Sequence, residues 1–271
     1  MNRGVIAKFT HEAWPLTLVF AAAVGAFETL IAGVIEVVPS DMTQQWLKLE
    51  FVQRFLEGLL GTNVAGMGVA QVFRALAWVH PVVLAIVWAH AITVCTRLPA
   101  AEIDRGTIDL LLGLPVSRWS LYAGSTLIAL LSGLVVVCGA LAGHFCGRTF
   151  ISTEMRMDSS LLAVVIANLL CMYAAVVGAS CLVSAACDRR GRAVAIVLSI
   201  LLAMFALDFL AQFWSPARHC EFLSVMHYYR PLDIVRQSAW PTRDLCTLLV
   251  SGGVCWLIGG CLFSRRDLSA V

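Results

Sequence analysis

Residues 160–186 read SLLAVVIANLLCMYAAVVGASCLVSAA and contain no charged side chain. A helix of roughly 20 predominantly apolar residues is enough to cross the hydrocarbon core of a bilayer. The stretch is apolar all round, which is typical of a helix surrounded by lipid or by other spanning helices. Asn168 supplies its one amide side chain. We therefore predict a transmembrane helix here.

The composition extends this prediction to the whole chain. Hydrophobic residues make up 60% and charged residues 13%, against a usual charged fraction of roughly a quarter. A β-barrel would show alternating segments of about ten residues, whereas the runs here are continuous and longer. We predict a single all-α, polytopic membrane domain over 1–271. Its six spans are predicted near 14–38, 78–98, 121–145, 160–186, 194–214 and 245–263.

The first apolar run is predicted to be a retained helix. It continues to Val38, beyond the roughly 7–15 apolar residues of a signal peptide. Six spans place both termini on one side, together with 99–120 and 187–193. Cytoplasmic loops are enriched in Lys and Arg, and this predicted inner side carries tight basic clusters. They are Arg189, Arg190 and Arg192, then Arg265 and Arg266.

Two further amphipathic helices are predicted at the membrane surfaces. Residues 40–60 have Ser40 or Asp41 as an N-cap and apolar residues such as Leu56 and Leu60 near helical spacing. They predict an interfacial helix on the outer leaflet, with docking of a partner as the alternative. The N-terminal GVIAKFTHEAW predicts a second interfacial helix on the inner face.

Small residues recur at four-residue spacing in the fourth and sixth predicted spans. Ser251, Cys255 and Gly259 form one such row, and Ala174 with Gly178 begins another. Small residues allow helices to approach closely in a membrane. The pattern is compatible with packing inside one bundle and with dimerisation, and does not choose between them.

The connection between the second and third spans carries a short predicted helix, GTIDLLLGLPVSR (106–118). Gly106 permits a break in the chain. Thr107 is a candidate N-cap, and Asp109 lies in the first turn, where the helix dipole favours a negative charge. Pro115 ends the helix because the residue before a proline avoids helical geometry.

The same helix has an apolar patch, and Ser117 is predicted to cap the next span. A membrane-parallel helix with leucines and charges is suited to binding a partner protein. Burial in lipid headgroups is the alternative, and the residues alone do not decide between the two. The patch consists of Leu110, Leu111, Leu112 and Leu114.

This loop resembles the first inner loop of ABC transporter permeases of the type-2 exporter superfamily. The family form is E-x-x-x-G-T-(L/I)-(D/E)-x-L-L-x-x-P-V-(S/T)-R, and Arg105 lies within the matching stretch. The sequence has Ser125 where the family often has lysine. The tail LFSRRDLSA (262–270) and the outer HYYRPLDIV (227–235) also resemble the family. The matching positions are Glu102, Gly106, Thr107, Asp109, Leu111, Leu112, Pro115, Ser117, Arg118 and Gly124.

The resemblance implies a non-catalytic permease subunit of the bacterial inner membrane, similar to the stand-alone permease of nitrous-oxide-reductase maturation transporters. The loop would be the coupling helix seated on a separate ATPase. The chain has no G-x-x-x-x-G-K-[ST] phosphate loop, and Lys8 and Lys48 are its only lysines. ATP and Mg²⁺ would therefore bind the partner, and the chain itself needs no cofactor. Two permease copies, in a homodimer, would work with two ATPases in export, alongside a further periplasmic partner.

Glu28 and His90 fall near the middle of the first and second predicted spans, and Asn168 and Asp208 fall in the outer halves of the fourth and fifth. An ionisable group in a bilayer is a functional hypothesis by default, because its burial costs a few kcal/mol at least. We predict that the four line a substrate pathway or gate. The alternative is that they are structural partners, for example Glu28 with His90.

The sequence argues against several functions other than transport. An intramembrane protease would need a base for Ser180, and spans 194–214 and 245–263 contain no histidine. A non-transporting ABC complex, changing the shape of the outer segments 39–77 and 215–244, remains the alternative. The charge of +2 gives no reason to expect nucleic acid. No residue set has the spacing of a closed metal site, and Cys146 could pair with Cys220.

Overall fold

The structure is a computed structural model that describes residues 3–37, 45–46, 48–62, 64, 67–153 and 156–267. These residues form helices and turns, and none of them lies in a strand. Within the same residues, six helices are long and apolar enough to cross a membrane. They are Ile6–Ile35, Ala70–Cys95, Arg118–Gly147, Ser159–Ala186, Arg190–Ala211 and Thr242–Arg265. The prediction of an all-α polytopic protein with six spans is confirmed.

Twelve α-helices are numbered here in chain order over the described residues. Short 3₁₀ turns at Glu221–Leu223 and Val225–Tyr228 precede the eleventh. The helices are α1 (Arg3–Val37), α2 (Glu50–Leu60), α3 (Val69–Val79), α4 (Pro81–Cys95), α5 (Glu102–Asp104), α6 (Ile108–Leu112), α7 (Arg118–Gly147), α8 (Ser159–Ala186), α9 (Arg190–Ala211), α10 (Ser215–Arg218), α11 (Pro231–Gln237) and α12 (Thr242–Arg265).

The first span begins earlier than predicted, because α1 is continuous from Arg3 to Val37 with Pro15 inside it. The separate interfacial helix predicted for GVIAKFTHEAW is therefore wrong. Lys8 forms an ion pair with Glu12 one turn on, at 3.2 Å. Phe9 and Ala13, also four residues apart, are both buried. This helical spacing runs directly into the apolar stretch, so no break separates the two parts.

The second span is also longer than predicted and is built from two helices. Part of the predicted outer loop 39–77 belongs to it, because α3 begins at Val69. His80 separates α3 from α4 with φ −54° and ψ 130°. Pro81, the first residue of α4, keeps His80 out of the helical region. The His80 imidazole then accepts a hydrogen bond from the Val82 amide at 3.3 Å.

The outer amphipathic helix is seen in part. The predicted N-caps, Ser40 and Asp41, lie outside the described residues, and α2 begins ten residues later. Leu56 and Leu60 are buried, as their spacing predicts, while Phe51 is exposed. The helix thus has apolar side chains both towards the bundle and away from it.

Close glycine contacts join the fourth and sixth spans. A Cβ atom on Gly178 would lie 2.1 Å from the Gly252 carbonyl oxygen, and one on Gly252 would lie 2.7 Å from Ala175 Cα. Gly178 and Gly252 therefore pack α8 closely against α12 within one bundle, whereas Ser251 of the row predicted on α12 is exposed. A similar contact between Gly25 of α1 and Gly143 of α7 was not predicted.

The spans differ in how much of each is covered by the rest of the chain. In α8, 61% of the most apolar window is buried, against 17% in α1 and 22% in α9 and in α12. The helix α8 is therefore central. The other three leave most of their apolar surface for lipid or for another chain.

Candidate functional site

The loop that carries the predicted coupling motif is held against the bundle from its first residues. Leu98 is in an extended conformation at the turn between α4 and α5, and Leu98 to Ala101 are buried. The Ser184 hydroxyl of α8 donates to the Leu98 carbonyl at 3.1 Å and accepts from the Ala100 amide at 3.3 Å. The start of the loop is therefore hydrogen-bonded to the central helix α8.

Glu102 is the most deeply buried charged group of the loop, with 5% of its surface exposed. The Lys8 ammonium of α1 lies 2.5 Å from its carboxylate, and the Thr107 hydroxyl donates to the same carboxylate at 2.5 Å. The predicted N-cap role of Thr107 is wrong, since its side chain makes no capping bond to α6. A buried carboxylate forms stronger, charge-assisted hydrogen bonds than a backbone amide offers to a hydroxyl, so the hydroxyl turns towards Glu102.

A second contact joins the loop to the fifth span. The Arg190 amide, at the first residue of α9, donates to the Asp104 carboxylate at 3.3 Å. The Arg190 guanidinium donates to the Thr93 carbonyl at 3.3 Å. Burial lowers the pKa of the nearby Arg97, and the cations Arg190 and Arg105 act in the same direction.

The helix α6 has one face on the bundle and one face in the open. Gly106 has φ 67°, a left-handed conformation that glycine adopts without strain, as the predicted break requires. Ile108 and Leu111 are buried, whereas 75% of the Leu110 surface is exposed. The exposed face is completed by Arg105, Asp109, Leu114 and Pro115; Leu112 is partly buried.

Residues at the end of the motif form hydrogen bonds at the start of α7 and at the end of α12. The Ser117 hydroxyl accepts from the Ser120 amide at 3.1 Å, so the predicted cap of α7 is confirmed. Arg118 is directed away from the exposed face and donates to the carbonyls of Arg266 (2.5 Å) and Phe263 (3.4 Å). It thereby satisfies carbonyls at the C-terminus of α12, which have no partner within the helix.

Arg266 performs the same task for α8. Its guanidinium donates to the Ala185 carbonyl at 2.9 Å and pairs with the Asp188 carboxylate. Sequence analysis missed both arginine contacts. The available signal was a basic side chain near a helix C-terminus. Both described ends of the chain therefore lie at the face of the bundle that carries the loop.

His90 lies in the middle of the bundle and joins several spans. Thr17 Oγ1 of α1 is 3.2 Å from its Nε2, and the Tyr173 hydroxyl of α8 is 3.0 Å from its Nδ1. Tyr173 in turn donates to the Ala129 carbonyl of α7 at 2.8 Å. Glu28 lies 11 residues beyond Thr17 on α1, about 16 Å at 1.5 Å per residue. The suggested Glu28–His90 pair is therefore wrong.

Glu28 lies nearer to the opposite face than predicted, because α1 starts earlier. It is 2% exposed, and its Oε1 atom has no hydrogen-bond partner among the described residues. It lines a cavity of about 30 Å³ together with Arg74, His144 and Met157. His144 Nε2 is also buried without a partner in the described part of the chain. A cavity of this size can hold a water molecule.

Asp208 is buried near the end of α9 that is remote from the loop. A Cβ atom on Gly61 would lie 3.4 Å from Asp208 Oδ2 and 3.6 Å from Arg230 Nε. The Arg230 guanidinium donates to His227 Nδ1 at 2.8 Å. Burial lowers the pKa of His227, and the Arg230 cation acts in the same direction.

Asn168 lies on α8 towards the same face and is fully buried. Its Nδ2 atom donates to the Tyr228 carbonyl at 3.0 Å, while its Oδ1 atom is buried without a partner in the described residues. The four predicted pathway residues are thus dispersed: Glu28 and Asn168 line different cavities. Among the described residues no group of three or more His, Cys, Asp or Glu is placed to hold a metal, and Cys146 and Cys220 are free thiols.

A comparison with protein families agrees with the motif and the six spans. The model of a family described as "ABC-2 family transporter protein" matches residues 11–268. No curated protein matches the chain. The family match runs through all six spans and the loop that joins the second to the third. The chain therefore belongs to the ABC-2 transporter family and is a membrane permease component of an ABC transporter.

Proposed function

We propose that this permease takes up the ATP-driven motion of a separate ATPase through the loop of residues 97–117 and uses it for export. The observation that carries the proposal is the division of α6 into two faces. Leu110 and Asp109 are exposed, whereas Ile108 and Leu111 are buried in the bundle. A docking helix requires such an arrangement, with apolar and charged groups open to a partner and an anchored opposite side.

The contacts of the loop support transmission of motion to the spans. Glu102 is bonded to α1 through Lys8, Ser184 attaches the loop to α8, and Asp104 contacts the start of α9. Arg118, directly after the loop, is bonded to the end of α12. Force applied to α6 would therefore reach four spanning helices through hydrogen bonds and an ion pair.

The charge distribution supports an orientation with this face in the cytoplasm of a bacterial inner membrane. The basic clusters around Arg190 and Arg266 lie at the same face as the loop, and Lys and Arg are enriched on the cytoplasmic side of membrane proteins. Both termini would then be cytoplasmic, where an ATPase with its ATP and Mg²⁺ is available.

The working assembly would contain two copies of this chain and two ATPases. The largely uncovered surfaces of α1, α9 and α12 provide apolar area for a second copy. Among the proposed pathway residues, Glu28, Asn168 and Asp208 retain a buried atom without a partner in the described residues. They are the better candidates for a moving gate, because the His90 contacts to Thr17 and Tyr173 suit a structural role.

Co-purification with a co-expressed ATPase tests the docking directly. We expect Leu110→Asp, or Asp109 and Arg105 exchanged together for residues of opposite charge, to abolish co-purification and permease-stimulated ATP hydrolysis. Phe222→Asp is the matched control, since Phe222 is also an exposed apolar residue but lies in the outer segment. Retained assembly after Leu110→Asp, or after deletion of 106–114, would refute the docking surface.

A structure of the assembled complex would distinguish a transporter from a non-transporting complex. A continuous path between two permease copies would support export. A closed interface in every nucleotide state, with movement confined to the outer segments, would replace export by mechanical signalling.

A further inference from the structure

A polar cavity of about 240 Å³ lies between α8, α11 and the start of α12. It is on the face opposite to the coupling loop, since α12 begins there at Thr242 and ends beside Arg118. Trp240 lines its rim, and tryptophan is enriched at the level of the lipid headgroups. Its other charged or amide lining includes Asn168, Arg230, Asp233, Arg243 and Asp244.

Asn168 gives the cavity a fixed acceptor. Its Nδ2 atom bonds to the Tyr228 carbonyl at 3.0 Å. A carbonyl accepts only from the amide nitrogen, so this contact determines which atom of the side chain is which. The Oδ1 atom is left buried with no hydrogen-bond partner among the described residues. A buried acceptor without a donor is unfavourable, and a ligand that donates a hydrogen bond to it would remove that cost.

The charges of the cavity come as two pairs of opposite sign. Arg230 lies 4.0 Å from Asp233, at the limit of an ion pair. Arg243 and Asp244 make no side-chain hydrogen bond or ion pair with another residue in the part of the chain that is described. Two guanidinium groups and two carboxylates therefore line one small space, and among the described residues only Arg230 and Asp233 approach to ion-pair distance.

The balance of charge selects the ligand. A lone anion would be attracted by the arginines and repelled by the aspartates, and a lone cation would meet the reverse. A molecule with an ammonium group and an anionic group satisfies both pairs. The ammonium can also donate to Asn168 Oδ1, and the ring of Trp240 offers a further attraction for a cation.

The geometry points to a binding site for a small zwitterion, an ammonium joined to a phosphate or carboxylate, held by Asn168, the Arg230–Asp233 pair and the Arg243–Asp244 pair. The cavity is smaller than the roughly 300–1,000 Å³ of sites for drug-sized ligands, which suits a phosphoethanolamine or an amino acid. Because it lies near the headgroup level, a phospholipid headgroup and a free solute are the two sources of the same chemistry. Binding requires only this chain, so it holds or fails separately from the docking of an ATPase.

The test is a titration of the purified full-length chain in detergent, monitored by microscale thermophoresis. The probes are O-phosphoethanolamine and glycine as zwitterions, ethanolamine as a cation and inorganic phosphate as an anion. We expect saturable binding of a zwitterion and at least about tenfold weaker binding of either single charge, as the loss of a charged hydrogen bond implies. Equal binding of ethanolamine or phosphate would overturn the proposal.

Variants tie the binding to the cavity. Asp244→Asn and Arg243→Gln should each weaken it about tenfold, and neither removes a described hydrogen bond of the fold. Arg236→Gln is the matched control, an exposed arginine of α11 that should bind like the parent. Unchanged affinity in Asp244→Asn and Arg243→Gln would contradict the site.

A second measurement identifies the source. The chain is incorporated into nanodiscs with equal phosphatidylethanolamine and phosphatidylglycerol, and the retained lipids are counted by native mass spectrometry. Selective retention of phosphatidylethanolamine, lost in Asp244→Asn, assigns the site to a lipid headgroup. Binding of soluble zwitterions without lipid selectivity assigns it to a free solute. Absence of both kinds of binding refutes the site.

Discussion

The two ends of the bundle differ in whether their buried polar groups have hydrogen-bond partners. At the loop end, Glu102 has Lys8 and Thr107 as partners, and Arg118 is bonded to the carbonyls that end α12. At the other end, Asn168 and Asp208 each keep a buried oxygen atom without a partner in the described residues. A satisfied network is rigid, whereas an unsatisfied buried group favours binding of a ligand or rearrangement.

The difference suggests a division of labour along the membrane normal. The loop end would move as one body with the spans to which it is bonded, and the far end would change its contacts as that motion arrives.

Glu102→Ala should destabilise the protein most, by about 3 kcal/mol, because it removes two charge-assisted contacts from a buried position. The free energy of unfolding of the purified chain, measured by SDS titration in mixed micelles, checks this. Glu12→Ala is the control, since Glu12 also pairs with Lys8, at 3.2 Å, but on the surface. It should cost less than about 1 kcal/mol, and equal losses in the two variants would contradict a special role for Glu102.

Gly252→Leu should lower the free energy of unfolding by about 2–3 kcal/mol, because the new side chain would clash with α8. A Cβ atom at this position already approaches Ala175 Cα to 2.7 Å. Gly253→Leu is an adjacent control, because nothing lies within 4 Å of a Cβ atom there. The melting temperatures of the two variants in detergent make the comparison, and similar values would argue against the close α8–α12 contact.

Arg118→Gln should lower the free energy of unfolding by about 1 kcal/mol, because it removes hydrogen bonds to the carbonyls that end α12. Faster hydrogen exchange at residues 260–267 would show that the end of α12 has opened. Arg105→Gln should leave exchange there unchanged but weaken docking of the ATPase, because Arg105 is exposed on the loop. Protection that is the same in Arg118→Gln and in the parent would count against the capping role.

Glu28→Gln should change the free energy of unfolding by less than about 1 kcal/mol, because Glu28 Oε1 has no described partner to lose. Glu102→Gln makes the same chemical change at the loop end and should be clearly more destabilising. We expect Glu28→Gln instead to alter transport and substrate-stimulated ATP hydrolysis. Unchanged activity in both assays would remove Glu28 from the pathway.

His227 provides the smallest expected effect, through pH. Burial lowers its pKa in the folded protein, so the unfolded chain binds the proton first, near the ordinary value of about 6.5. The stability that neutral His227 contributes is therefore complete above about pH 6.5 and declines as the pH falls below that value. The melting temperature should decrease slightly between pH 7 and 5.5, and His227→Gln should reduce the decrease. An equal pH dependence in both proteins would exclude His227 as its source.

Much of the fold could be predicted because the bilayer imposes simple rules. Length and hydropathy identified all six spans, and Ser117 as a cap followed from local pattern. The helices of the first two spans begin earlier than predicted, at Arg3 and at Val69, because amphipathic turns precede each apolar stretch. Lys8 lies within the continuous helix α1, whereas Val69–Val79 is a separate helix that meets α4 at His80.

The site was less predictable because its important contacts join distant residues. The motif located the loop, but Thr107 turns to Glu102 rather than to its own helix, and Arg118 binds a carbonyl 148 residues away. Nothing in local spacing indicates such partners. The cavity beside Asn168 likewise depends on α11 and α12 returning to α8, which no single segment of the sequence reveals.

The most direct measurement is photo-crosslinking from the exposed face of α6 in the assembled complex. A benzophenone amino acid would replace Leu110 in one sample and Phe222 in a second, and the products would be mapped by mass spectrometry. We predict an adduct between position 110 and a groove of the ATPase, and none from position 222. Adducts of position 110 only with lipid, or ATPase adducts only from position 222, would contradict coupling through this loop.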